Sequence, residues 1–485
     1  MLFNSLEFFI FFPIVMGFYL VCPDRYRWAL LLAASYYFYA AWKMEYVLLL
    51  GLATLIAYMA ALQMARTEHP VARLALLLVS IISNLAILLT FKYFNFFSDS
   101  LRAILAQANI LYDSPLFDVL LPVGISFYTF QIISYTIDVY RGQIEPEQHL
   151  GYFALFVAFF PQLVAGPIER AAHMLPQFRQ RFEFDMLRLN GGLQLVLWGL
   201  FKKVVIADRL GVYVDAVYNQ PTTYTGWPIL MATFFFAFQI YCDFSGYTDI
   251  ALGLARMMGF DLMQNFKQPY FATSPVDFWR RWHISLSTWF RDYLYIPLGG
   301  NRVAVNRWYA NLFIVFLISG LWHGANWTFV IWGGLHGLYV IVEVATEQIR
   351  VAWSRRLGLD RWPGLLVASS RLSTFGLIGL TWLFFRANSV GDALVLLVRT
   401  TLLSNPVEIN TPWLMAVAHP AQQMALALGL IVLLLAVQLA QVRGWPWPVI
   451  HRYPVWLRWA TYLLLALSIL NLGVTSEVPF IYFQF

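Results

Sequence analysis

Apolar runs separated by short polar or basic connectors recur along almost the whole chain. A helix needs about 20 mostly apolar residues to cross ~30 Å of hydrocarbon. The pattern therefore predicts spans over 5–22, 28–43, 45–65, 73–95, 115–136, 150–168, 188–206, 226–248, 308–323, 325–348, 368–386, 421–442 and 456–474. These predict an all-α polytopic membrane protein of about 11–13 helices, some of them re-entrant. The first run, Leu6 to Cys22, has no basic segment before it, carries Glu7 and ends in Cys-Pro-Asp, so it reads as a retained helix rather than a removed signal peptide.

Residues 249–307 break the alternation of spans and tight connectors, with Asp261, Lys267, Asp277, Arg280, Arg281, His283, Arg291 and Asp292 set among aromatics. Ser274-Pro275 followed by Asp277 predicts a helix start: an N-cap hydroxyl, a proline at the first helical position and an acid favoured by the dipole. Continued onward, that helix puts Phe278, Trp282, Trp289 and Tyr293 on one face and Arg280, His283 and Arg291 away from it. Such an amphipathic helix lies at an interface or in a shallow cavity, and a plain membrane-surface anchor is the chemistry-free alternative.

Composition agrees with the pattern. The 485 residues are 60% hydrophobic, 18% aromatic and only 12% charged, which leaves no soluble domain over. The chain reads as one membrane domain, 1–485, with a motif-bearing core at 115–348 and additional membrane helices at 368–485. Two cysteines, Cys22 and Cys242, give no disulfide framework and no thiolate metal site. The net charge of +6 matters through its placement. Basic residues cluster at Arg66/Arg73, Arg170 to Arg188, Lys202/Lys203/Arg209, Arg302/Arg307 and Arg350/Arg355/Arg356/Arg361, which the positive-inside rule assigns mainly to the cytoplasmic side.

The stretch "SGLWHGANW" (319–327) sets one histidine between two apolar runs whose outer ends are both basic. That predicts a hairpin entering from the cytoplasm and bending near His323; Trp308 to Trp322 as helix rises ~22 Å, past the midplane of a ~30 Å core. An ionisable group at that depth is a functional candidate, with a carbonyl-bonded structural imidazole as the alternative. Gly320 and Gly324 would let another backbone or a ligand come close. His336 is 13 residues further on; along one helix that means roughly 20 Å of rise and ~220° of rotation, so the two rings would not meet unless the helix broke, for instance at Gly333-Gly334.

His283, in "DFWRRWHISLSTWFRDY", is the better second imidazole, since Arg280, Arg281 and Arg291 around it suit a phosphate-rich ligand, or else snorkel to headgroups. Asp243, in "FQIYCDFSGYTDIALGLARMMG", reads either as a buried acid tied to an arginine or as a substrate-side acid. No His-x-x-x-His or comparable spacing supports a metal site, and no G-x-S-x-G elbow, P-loop or dinucleotide fingerprint is present.

Several long segments, taken in order, resemble the membrane-bound O-acyltransferase (MBOAT) family, and within it the branch of alginate O-acetylation proteins and their cellulose- and peptidoglycan-acetylating relatives. They are "LPVGISFYTFQIISYTIDVYRG" (121–142), "FFPQLVAGPIERAAHMLPQF" (159–178), "QIYCDFSGYTDIALGLARMMGF" (239–260), "FKQPYFATSPVDFWRRWHISLSTWFRDYLYIPLGGNR" (266–302) and "GLWHGANWTFVIWGGLHG" (320–337), with the opening "MLFNSLEFFIFFPIV" and the closing "IYFQF". The resemblance implies a helical bundle around a central tunnel, with His323 as the catalytic histidine and His283 at the same site. Arg280, Arg281, Arg291, Asp243, Trp322, Asn326 and His336 become candidates for binding donor or acceptor.

It further implies acetyl-CoA as the cytoplasmic acyl donor and no permanently bound cofactor. The acceptor expected is an exocellular polysaccharide, served by a periplasmic SGNH-type acetyltransferase partner. The setting is then the bacterial inner membrane among its lipids, with no role for nucleic acid. Relatives that add D-alanine to teichoic acids share both histidine motifs but are generally shorter at the C-terminal end, so the spans after 368 favour the polysaccharide branch. In this reading neutral His323 is the general base for an acceptor hydroxyl. Two alternatives remain: a polytopic transporter or flippase, although no internal repeat is visible, and the same chemistry with another acyl group or acceptor such as D-alanine or a lipid alcohol.

Overall fold

The computed structural model describes residues 1–112, 121–402, 406–414, 419–443, 454–474 and 479–481. Among these residues the regular structure is helical, with no strand. Seven helices among the described residues are long and apolar enough to cross a membrane: Met44–Arg66, Pro70–Gln107, Trp227–Met257, Trp327–Ala345, Pro363–Arg386, Pro420–Val442 and Val455–Leu472. The protein is therefore multi-pass. The beginning of the predicted 115–136 span lies outside the described residues, as does all of the closing "IYFQF" except Ile481.

The chain forms two compact units, one built from Met1–Val196 with Tyr247–Met263, the other from Leu197–Gly246 with Gln264–Ile481. In the first, Ile125–Tyr140 is the central helix and packs against Met44–Arg66 and Pro70–Leu88. It is buried along almost its whole length, and part of its polar content is paired within the unit: Ser80 and Thr136 share a 3.0 Å hydroxyl hydrogen bond, and Thr136 also donates to the Ile132 carbonyl.

The predicted span at 150–168 is shorter than expected. Helix runs only over Leu150–Ala158, because Pro161 and Gly166-Pro167 interrupt the apolar sequence, and Gln162 donates to the Phe156 carbonyl as the chain turns. Among the described residues, helices over Phe94–Gln107, Asp208–Tyr218, Glu347–Arg356 and Val390–Thr400 extend beyond or lie outside the predicted spans.

In the second unit the hairpin expected around His323 is present. Val305–His323 ends at the histidine, Gly324-Ala325-Asn326 reverse the chain, and Trp327–Ala345 returns alongside. Two glycines set the spacing. A Cβ on Gly320 would lie 2.3 Å from the Phe329 carbonyl oxygen, and one on Gly333 would lie 2.3 Å from that of Phe316, so the backbones touch where any side chain would hold them apart.

The 274–295 segment starts as predicted: Ser274 Oγ accepts the Asp277 N–H at 3.2 Å and Pro275–Trp279 is helical. It does not continue as one amphipathic helix. The chain breaks at 280–283, where His283 takes a left-handed conformation (φ 44°, ψ 54°), and helix resumes over Ile284–Phe290. Asn265 secures the break: its carbonyl accepts the Ile284 N–H at 3.0 Å and its side chain accepts the Ser285 hydroxyl at 2.6 Å.

Candidate active site

The break moves His283 off the polar side to which an unbroken helix would assign it. The ring is fully buried, 4.7 Å centroid to centroid from Phe244 and 5.9 Å from Trp322, and it stands 6.4 Å from the ring of His323. The two imidazoles singled out by sequence thus come together from segments 40 positions apart. Burial, reinforced by the neighbouring His323, holds the His283 pKa well below its ordinary value, so the ring is neutral at pH 7.

His323 is the last residue of its helix and is 3% exposed. Its Nδ1 lies 2.7 Å from the carbonyl oxygen of Ser319, one turn earlier. A carbonyl can only accept, so Nδ1 carries the hydrogen and the lone pair of the neutral ring is on Nε2. Rings of Trp322 (5.0 Å), Trp332 (4.8 Å) and Phe385 (5.9 Å) pack against it.

A cavity of about 530 Å³ opens beside this pair. Arg280 and Arg291, both exposed, line it together with Phe316 and the buried Trp279, Ser319 and Val340. The cavity thus combines exposed arginines with aromatic walls. Neither imidazole lines it; Ser319, whose carbonyl orients His323, and Ile284, next to His283, are its links to the pair.

The other sequence candidates occupy different positions. Arg281 lies outside the cavity lining and pairs with Asp277 at 2.8 Å. Arg291 also contacts Asp292 at 2.8 Å. Asn326 caps Trp327–Ala345 by accepting the Thr328 N–H at 3.0 Å and donates to the Asn388 carbonyl at 3.0 Å. Asp243 is tied to a lysine: Lys203 Nζ lies 2.6 Å from Asp243 and 2.7 Å from Asp208, all three buried, and the second Asp243 oxygen accepts the Ile481 N–H at 2.7 Å. The acid thus binds a cation and the backbone near the chain's end.

His336 requires a correction. The helix-geometry argument that set it apart assumed one helix through both histidines, with a possible break at Gly333-Gly334. The chain instead reverses at 324–326, and both rings pack against one indole, each 4.8 Å from Trp332. His336 Nδ1 accepts the Trp279 indole N–H at 3.2 Å, and Nε2 meets the Thr381 hydroxyl at 3.0 Å. Sequence reasoning missed Ser319, Trp279, Trp332 and Thr381. Only Ser319 left a signal, its position one helical turn before His323.

The family model described as "MBOAT, membrane-bound O-acyltransferase family" matches residues 147–357, which include both histidines and every ring named around them except that of Phe385. A probable alginate O-acetylase AlgI of Pseudomonas putida is 40% identical over the whole of both chains. The chain belongs to the membrane-bound O-acyltransferase family. A probable alginate O-acetylase AlgI of Azotobacter vinelandii is 37% identical, again over the full length of both. A peptidoglycan O-acetyltransferase of Helicobacter pylori is 38% identical over 76% of this chain and 72% of its own. An O-acyltransferase needs an acyl donor and a hydroxyl acceptor, and the transport reading gives way to that chemistry.

Proposed function

We propose that the protein takes acetyl groups from cytoplasmic acetyl-CoA and delivers them across the bacterial inner membrane toward hydroxyls of an exocellular polysaccharide, with a periplasmic SGNH-type acetyltransferase completing the transfer. The observation that carries this reading is the His323–Ser319 hydrogen bond, whose acceptor residue lines a cavity shared with two exposed arginines. It gives a fixed tautomer where a thioester carbonyl would arrive. The names of the relatives, alginate O-acetylases and a peptidoglycan O-acetyltransferase, support acetyl as the group and a polysaccharide as its destination.

In this mechanism Arg280 and Arg291 hold the donor's phosphates at the mouth, and the thioester arm fills the cavity. Nε2 of His323 takes the proton of the acceptor hydroxyl as its oxygen attacks the carbonyl carbon. The new C–O bond forms, the tetrahedral intermediate collapses, the C–S bond breaks, and His323 returns the proton to the departing thiolate. Neutral His283, across from His323, holds the acceptor hydroxyl in line.

The test compares wild-type protein and His323→Ala in membrane vesicles that retain the periplasmic partner, supplied with radiolabelled acetyl-CoA and an alginate oligosaccharide, at matched protein level. Loss of general-base catalysis should lower transfer by roughly 10²–10⁴-fold. Transfer at the wild-type rate by folded His323→Ala would overturn the mechanism.

A further inference from the structure

The cavity wall that Trp279 and Phe316 form has no part in proton transfer, yet its one polar atom is carefully bonded. Trp279 forms that wall beside Phe316, ring centroids 5.3 Å apart, and it meets Trp332 at 5.7 Å. Trp332 in turn packs on His323 and on Phe385, at 4.8 and 5.2 Å. Trp332 thus links the cavity-lining Trp279 to His323, and an acyl group lying in the cavity meets the Trp279 indole.

Trp279 is also tied in place. Its N–H donates to His336 Nδ1, His336 Nε2–H donates to Thr381 Oγ1, and the Thr381 hydroxyl donates to the Ile378 carbonyl at 2.7 Å. The assignment is consistent throughout: an indole can only donate, so Nδ1 accepts and Nε2 carries the hydrogen. His336 and Thr381 are both fully buried, and the chain joins the wall to two separate helices, Trp327–Ala345 and Pro363–Arg386. A ring held this way cannot swing aside for a longer group without leaving buried polar atoms unsatisfied.

We infer that Trp279 is the acyl-size stop of this enzyme, that His336 and Thr381 are positioning residues for it, and that the stop confines the donor to acetyl. This rests on the acyl-transfer reading above. A rigid apolar wall discriminates by about 10-fold or more for each methylene that does not fit.

The experiment measures kcat/KM for acetyl-, propionyl- and butyryl-CoA with the full-length protein in membrane vesicles that retain the periplasmic partner, and an alginate oligosaccharide as acceptor. Wild type should prefer acetyl over butyryl by at least about 10²-fold. Trp279→Phe should raise the butyryl-to-acetyl ratio by roughly 10-fold, and Thr381→Val, which cuts the chain while leaving the wall's volume, should raise it a few-fold, mainly through KM. Similar wild-type kcat/KM for all three donors, or folded Trp279→Phe and Thr381→Val with wild-type ratios, would overturn the stop and leave acetyl transfer standing. Absence of acetyl transfer by wild type would instead overturn the acyl-transfer reading, and the stop with it. Should Trp279→Phe fail to accumulate, the Thr381→Val ratio decides alone.

Discussion

Gly320→Ala is a one-carbon change in the helix that carries His323, and its effect follows from the packing of the hairpin. The new Cβ would sit 2.3 Å from the Phe329 carbonyl oxygen and 3.0 Å from Gly333 Cα. Optimal separation for such atoms is roughly 3.5 Å or more, so the two helices must part by about 1 Å, or the backbone must twist. Overpacking of this kind costs about 1–3 kcal/mol. The larger consequence falls on the site: His323 is on one helix and Trp332 on the other, so parting them shifts the imidazole against its packing surface. A displacement of ~1 Å can cost about 10² in rate. Acetyl transfer in vesicles, normalised to protein level, should therefore drop by one to two orders of magnitude, while size-exclusion in detergent shows the protein still folded. A Gly320→Ala protein with wild-type rate and wild-type thermal stability would refute the claim that backbone contact sets the geometry.

Three further outcomes are expected. Lys203→Met leaves two buried carboxylates without their cation, and losing one partner of such a cluster costs roughly 3–5 kcal/mol; the thermal midpoint in detergent should fall sharply, and an unchanged midpoint would show that the cluster is not structural. Arg280→Ala and Arg291→Ala should each raise KM for acetyl-CoA by roughly 10-fold, with little change in kcat, since a hydrogen bond to a charged group is worth about 1.5–3 kcal/mol; a kcat effect alone would place the phosphates elsewhere. In the first unit, the buried Glu169 lies 2.9 Å from His173, and this hydrogen bond raises the His173 pKa above its ordinary value. A raised histidine pKa stabilises at pH below the unfolded value and the contribution disappears as pH rises through the folded one. Thermal stability should decline as pH is taken from about 6 into the alkaline range, and His173→Gln should flatten that slope.

Much of this was legible in the sequence because membrane helices declare themselves by length and apolarity, and most of the predicted spans coincide with helices to within a few residues. The hairpin at His323 was legible for a similar reason, its two runs being separated by Gly-Ala-Asn and flanked by arginines. What sequence did not yield was anything that depends on a local break. The left-handed His283 has no marker glycine, so periodicity carried a single helix through it and assigned the ring to the wrong face. The Asp243–Lys203 and His336–Thr381 pairings join positions 40 and 45 residues apart, which no local spacing rule reaches. Asp243 was read as a possible partner of an arginine; the cation is the neighbouring-span lysine.

The short reversal at 324–326 also determines how the hairpin can move. Asn326 ties the tip of the hairpin to the Asn388 carbonyl just beyond Pro363–Arg386, while Gly320 and Gly333 bring the two backbones into contact below it. The hairpin is thus clamped at its apex and zipped along its length. Splaying its helices would break the clamp and the zip together, so His323 and the Trp332 indole packed on it are carried as one piece.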